Sequence, residues 1–307
     1  MIYSDTVIFM KQQLKGSLFL LTATVIWGST FIAQSVGMDY IGPFTFQAAR
    51  CTLAVLFLVP VIFLFDKDKK AYFKTWSDKK LWKTGIICGI SLFIAGGLQQ
   101  LGIQYTTAGK AGFITTMYIV LVPVLGLFLR KKVTIAAWIS VAIAVAGLYL
   151  LSCVGVTEIN KGDLLLLGCA LGFAVQITLV DELAGSFDGL RVNCIQALVT
   201  AVLSGITMLL TETPVWENIL SCWLPLGYAG ILSMGVAFSL QIIGQKHLEP
   251  TPASLIMSLE SAFALLFGWL LLHERLSGPE LWGCALVFIA VILSQLPENI
   301  FKKKKHG

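Results

Sequence analysis

The chain has 307 residues, of which 57% are hydrophobic and 13% charged, and a net charge of +5 at pH 7. Soluble domains carry about a quarter charged residues, and a water-soluble fold of this size has too little polar surface to cover so much apolar side chain. A mean hydropathy of +0.83 therefore excludes an ordinary soluble domain and points to a bilayer. The positive balance does not signal nucleic acid, because the lysines fall in short clusters between apolar runs, the pattern by which membrane proteins hold their orientation.

A hydrocarbon core of about 30 Å needs roughly 20 apolar residues per helix. In chain order such runs occupy approximately 16–36, 43–65, 83–103, 108–129, 133–153, 162–180, 191–210, 223–244, 252–272 and 279–296. They predict an all-α membrane protein of ten transmembrane helices. The first run is long and no small-x-small site closes it, so it reads as a helix rather than a cleaved leader. The connectors are short, the longest being 66–82 and the next 211–222.

With the N-terminus placed in the cytoplasm, 18 of the 22 lysines and arginines fall inside and three (Lys110, Lys161, Arg275) outside. The remaining one, Arg50, lies within the second helix. This asymmetry predicts that both termini are cytoplasmic. The basic loop 66–82 and the tail Lys302–Lys305 read as topology signals that touch anionic head groups.

The two halves repeat one another. Lys15-Gly16 falls on Lys161-Gly162 at an offset of 146, Leu98-Gln99-x-x-Gly102 on Leu240-Gln241-x-x-Gly244 at 142, and Thr107 and Trp138 on Thr251 and Trp282 at 144. Five helices per half is an odd number, so the second half enters the membrane from the opposite side. The expected architecture is two inverted five-helix repeats, 1–153 and 154–307 (the latter with the basic tail), around a central cavity near the midplane.

Polar groups are costly at membrane depth. Arg50 lies seven residues past Pro43 and Glu260 eight past Pro252, which places them about 10 Å and 12 Å deep from opposite faces. In a core of about 30 Å that leaves roughly 8 Å between their levels, so both a structural ion pair and a shared pathway lining are open to them. The repeat maps Arg50 onto Gln196 and Glu260 onto Thr116, so each charge decorates one half only. A carboxylate at this depth is also a candidate proton carrier. The uncharged polar set comprises Trp27, Ser29, Thr30 and Gln34 in the first helix, Gln99 and Gln100 in the third, Gln176 and Thr178 in the sixth, and Ser239, Gln241 and Gln245 in the eighth. Such side chains face protein or water because lipid offers them no partner, and they serve either as a lining or as glue between helices. Pro123 predicts a bend in the fourth helix.

Signals for soluble catalysis are missing. There are three histidines, no HExxH, GxSxG, P-loop or GxGxxG pattern, and seven cysteines without a CxxC pair. Buried cysteine is usually a small hydrophobe, so no metal or cofactor is expected. Cys153 and Cys222 fall near one face, where a disulfide would depend on geometry.

The chain resembles the EamA-type exporters of the drug/metabolite transporter superfamily. The resemblance is carried by ATVIWGSTFIAQ (Ala23–Gln34), FQAARCTLA around Arg50, LQQLGIQYTTAGKAGFITTMYIVLVPVLG (Leu98–Gly126) and PASLIMSLESAFALLFGWLLLHERLS (Pro252–Ser277). It implies ten helices in an inverted repeat, a bacterial or archaeal plasma membrane, and outward movement of small metabolites. Within it, Arg50, Glu260 and Glu274 occupy motif positions. Family members often carry proline after the ninth-helix glutamate, where this chain has Ser261; a straighter ninth helix is the expectation. No acidic exit motif follows the fourth helix, which ends on Arg130-Lys131-Lys132.

The sequence thus points to a secondary transporter of small organic solutes. Its substrate cavity is expected to be lined by Trp27, Thr30, Gln34, Arg50, Gln99, Tyr118, Gln176, Gln241 and Glu260, with Trp27 and Tyr118 available to stack on a planar or aliphatic substrate and Glu260 as the candidate for proton coupling. Lys110, at the outer mouth, either attracts anions or anchors a helix end. A facilitator without ion coupling remains a second reading. A membrane-embedded enzyme would need a clustered acid, base or metal site, and a scaffold would need a partner domain, for which the loops are too short. The expected partners are a small-molecule substrate and the bilayer; oligomeric state is not legible.

Overall fold

Backbone polar groups have no partner in hydrocarbon, so a chain this apolar must close its hydrogen bonds within helices. A computed structural model, which describes residues 2–66, 74–106, 108–152, 160–272 and 277–295, is helical with no strand among those residues. The helices are α1 (Ile2–Gly37), α2 (Pro43–Phe65), α3 (Lys79–Ile103), α4 (Ala108–Thr116), α5 (Tyr118–Phe128), α6 (Ile135–Ser152), α7 (Lys161–Ala184) and α8 (Gly189–Thr211). The short α9 (Trp216–Ser221) and α10 (Trp223–Gly227) lead into a π-helical segment (Tyr228–Ala237), followed by α11 (Phe238–Gln245), α12 (Pro250–Met257), α13 (Leu259–Leu272) and α14 (Gly278–Ser294). Eight stretches are long and apolar enough to cross a membrane, and α6 and α14 are shorter apolar helices. The chain is a multi-pass membrane protein. The first half of the basic loop, Cys153, Glu274, Arg275 and the lysine tail lie outside the described residues.

Each helix buries one stripe and turns its other side outward. In α1 the buried stripe runs Gly16, Leu20, Thr24, Gly28, Phe31, Gln34, a period near 3.6. Exposed apolar side chains such as Leu56, Phe63 and Leu64 on α2 and Val202, Ile206 and Leu209 on α8 form the surface suited to lipid. α1 packs against the π segment and α11 and against α12 and α13. α7 packs in the same manner against α3 and against α4 and α5. α2 pairs with α8, α4 with α13, and α6 with α14.

Two of the eight spans are interrupted. Between α4 and α5, the Thr116 hydroxyl donates to the carbonyl of Phe113 at 2.8 Å, the acceptor a regular helix would offer to Met117. The Met117 amide turns instead to Ile114, and Val120 turns to Met117. The break therefore precedes Pro123 by six residues. Between α12 and α13, Ser258 donates to the Leu255 carbonyl at 2.7 Å and Ser261 closes an i−3 bond to Ser258. Hydroxyls competing for helix carbonyls account for both breaks. The ninth span is interrupted at Ser258, three residues before Ser261.

The α2–α8 pair is tied at both ends. The Glu212 carboxylate accepts from the amides of Phe44 (2.8 Å) and Thr45 (2.9 Å) and from the Thr45 hydroxyl (2.6 Å), capping the N-terminus of α2 from the far end of α8. At the opposite end Asp66 pairs with Arg191, which also holds Asp188 at 2.6 Å.

Elsewhere the contact is backbone on backbone. A Cβ built on Gly28 would sit 2.5 Å from the Cβ of Phe263 and 2.8 Å from the amide nitrogen of Ala264, whereas one on Gly205 would meet nothing within 4 Å. Gly28→Ala is expected to push α1 off α13 and cost about 1–3 kcal/mol, read as a lowered melting temperature in detergent, while Gly205→Ala leaves the melting temperature unchanged or raised.

Candidate functional site: a polar cavity between the two halves

A cavity of about 550 Å³ lies where α1, α2, α3, α5, α7, the π segment, α11, α12 and α13 converge. Its lining includes Trp27, Thr30, Gln34, Arg50, Gln99, Tyr118, Gln241 and Glu260, eight of the nine residues expected from the sequence. The ninth, Gln176, stands one layer behind and accepts from Gln241 Nε2 at 3.1 Å. The remaining lining is mostly apolar: Phe31, Leu92, Phe173, Ile177, Phe238 and Met257, with the Ser233 hydroxyl. Sequence reasoning from polarity passed over these. The internal offset could have found one of them, since 146 residues carries Trp27 to Phe173.

Arg50 and Glu260 do not meet. Both are buried, at 5% and 7% exposure, and both line the same cavity. Arg50 Nη2 donates to the neutral Gln47 Oε1 at 3.3 Å, and its guanidinium lies 5.8 Å from the centre of the Phe46 ring. Its Nε is buried without a partner, and among the described residues it has no ion pair. Glu260 accepts from the Tyr118 hydroxyl at 3.2 Å. Trp27 packs edge-on against Phe238 at 5.0 Å with its indole Nε1 unpartnered. The cavity therefore presents unpartnered donors at Arg50 and Trp27, and an acidic acceptor at Glu260. Lys110, by contrast, is held by Asp163 at 2.7 Å, so it ties α4 to α7.

Repeat-related positions do parallel work around this site. Gln47 donates to the Phe93 carbonyl at 3.3 Å and supports Arg50. One offset on, Asn193 donates to the carbonyls of Met234 (2.8 Å) and Gly235 (3.0 Å) and to Ser239 Oγ (2.8 Å), and accepts from Gln196 at 2.8 Å. Asn193 was missed from the sequence because a single asparagine in an apolar run carries no pattern. It fixes the π segment through the carbonyls of Met234 and Gly235. Among the described residues no group of three metal-ligating side chains converges.

With this geometry in place, the chain's kinship is informative. The EamA-like transporter family matches residues 14–153 and 160–296, and the chain belongs to that family. It is 32% identical to an uncharacterized transporter of Archaeoglobus fulgidus over 96% of this chain and 93% of that one. It is 24% identical to the uncharacterized transporter YoaV of Bacillus subtilis over 91% and 96%, and 22% identical to the uncharacterized inner membrane transporter YedA of Escherichia coli K12 over 94% and 92%. A crystal structure 19% identical in sequence superposes with a TM-score of 0.79, covering 94% of this chain and 99% of the other, which shows a shared fold. The chain is thus a membrane transporter by family, and the kinship supports a non-enzymatic role.

Asn193→Leu strips buried donors from three acceptors, including the carbonyls that hold the π segment. It is expected to cost about 1–3 kcal/mol, read as a lowered melting temperature. Ser204→Ala, on the same helix, removes a buried hydroxyl that already lacks a partner and leaves the melting temperature unchanged.

Proposed function

We propose that this protein is a secondary transporter that exports small organic metabolites across the plasma membrane by alternating access between two inverted five-helix repeats, with both termini cytoplasmic. The observation that carries the reading is the cavity in which Arg50 and Glu260 stand buried and unpaired with one another. A buried charge without a counter-ion is expensive, and a solute bearing an acidic group for Arg50 and a donor or cationic group for Glu260 would satisfy both. Two such recognition points at the interface of moving halves are what binding from either side requires.

The inverted repeat is supported by the packing. Exchanging the first five spans for the last five carries each of these helix pairings into an observed pairing: α1 on α11 into α7 on α3, α1 on α13 into α7 on α5, and α4 on α13 into α12 on α5, while α2–α8 and α6–α14 map onto themselves. The 18-to-3 distribution of basic residues supports the orientation. Glu260, the one acid among the described residues that line the cavity, is the natural proton carrier in a coupled cycle.

A thermal-shift screen of metabolites, followed by counterflow of the stabilising compounds in proteoliposomes, tests the reading. Arg50→Gln is expected to weaken the apparent affinity for an acidic solute about 10- to 100-fold without loss of folded protein; unchanged affinity would remove Arg50 from recognition. Glu260→Gln is expected to abolish uptake driven by a pH gradient while counterflow persists. A variant that still responds fully to the gradient would leave the facilitator reading in its place.

A further inference from the structure

A second hollow, with about 940 Å³ of empty space, opens at the Lys246 end of the molecule. Its lining includes Gln12, Lys131, Asp181, Gln245, Lys246 and Glu249. Gln245 belongs to this basin, and Gln241, one helical turn before it on α11, belongs to the central cavity. What separates the two spaces here is a layer one side chain thick. Gln241 Nε2 donates to Gln245 Oε1 at 3.0 Å and to Gln176 Oε1 at 3.1 Å, and Gln245 Nε2 donates to the carbonyl of Ile177 at 3.1 Å. Ile177 itself lines the cavity. The three amides join α11 to α7, both in the second half of the chain.

We propose that Gln176, Gln241 and Gln245 form the gate between the central cavity and the Lys246-side basin, opened by breaking the amide links across α7 and α11. This rests on the transport reading above and names the residues that control access in it. Three features support a gate over fixed glue. The cluster, though buried, reaches one hollow through Gln241 and the other through Gln245. Its bonds are neutral amide bonds, which exchange with water at small net gain or loss. It is also incompletely satisfied, since Gln176 Nε2 and Gln241 Oε1 are buried without partners. Water entering on opening supplies both missing partners, so the closed layer is held by a small margin. A structural clamp would be expected to saturate its bonds, as Asn193 does with its amide donors.

Sided labelling tests this without knowledge of the substrate. A cysteine placed at Thr30, which lines the cavity, is exposed to a membrane-impermeant maleimide from either face of sealed vesicles, against the background of the native cysteines. With native amides, labelling from the Lys246 face is slow. Gln241→Ala is expected to accelerate it at least tenfold from that face alone, and Gln245→Leu to do the same should Gln241→Ala fail to fold. Gln99→Ala, at the other end of the cavity, leaves the rate from the Lys246 face unchanged. Equal acceleration from both faces, or no acceleration in a folded variant, would overturn the gate. Solute counterflow is measured separately, so sided labelling without counterflow would defeat the transport reading and leave the gate standing.

Discussion

Helices in lipid gain nothing by hiding apolar surface from one another, so their association depends on how closely backbones can approach. In this molecule that constraint is met by glycine pairs at the two ends of equivalent crossings. A Cβ on Gly16 would fall 2.8 Å from the Gly244 carbonyl, and one on Gly162 would fall 2.7 Å from the Gly102 carbonyl. The first pair draws α1 onto α11, and the second draws α7 onto α3. Both crossings run between the halves, so what holds the halves together is contact at the ends, and the space between those ends is free to become a cavity.

Gly89 and Gly230 extend the scheme toward the centre. A Cβ on Gly230 would lie 2.8 Å from the carbonyl of Arg50, and one on Gly89 would lie 2.9 Å from the carbonyl of Gln196. The backbone frame is thus repeated, and the side chains on it are not. At one of these positions the frame carries a guanidinium beside the cavity, and at its counterpart an amide bonded within its own helix to Asn193. In the proposed transport cycle, such a repeated frame would let the site open to both faces, and the asymmetric lining would fix one solute in one pose.

Much of this was legible in the sequence because it follows from periodicity and cost. Of the ten apolar runs, eight appear as stretches long enough to cross a membrane and two as shorter apolar helices; charged or amide groups at depth had to converge somewhere away from lipid, which is why eight of nine expected residues share one cavity. The glycines found as register marks, Gly16, Gly102, Gly162 and Gly244, are the same ones that bring backbone close to backbone at the two ends of these inter-half crossings. Less legible were the helix interruptions. Proline is the visible breaker in a sequence, so attention went to Pro123 and to the serine in place of a proline at 261. The breaks fall at Met117 and Ser258, where a hydroxyl takes a carbonyl from the ladder. A serine or threonine in an apolar run more often bonds back along an intact helix, as Thr178 does to Ala174, so residue type alone does not reveal which one breaks it. The apolar lining was also invisible to a search for polarity, because Phe173 and Met257 read the same whether they face a cavity or a neighbouring helix.

The two breaks bear on the site because of where they meet. Thr116, at the end of α4, lies with its hydroxyl 3.1 Å from that of Ser261 in the first turn of α13. Tyr118 and Glu260, which bond to one another, flank this contact directly. The spans that supply the acid and its hydroxyl donor are therefore discontinuous at that point, and they cross there. A continuous helix moves as a rod, so displacing its end displaces its centre. A span broken beside the acid lets one segment tilt while the other stays packed, and the Tyr118–Glu260 bond spans both broken helices. Any rearrangement that separates α5 from α13 must break that bond, and any group that takes over the Glu260 oxygen, a proton or a substrate donor, weakens what holds those segments together. The bonding of the acid and the packing of the two interrupted spans are in this way one property of the crossing.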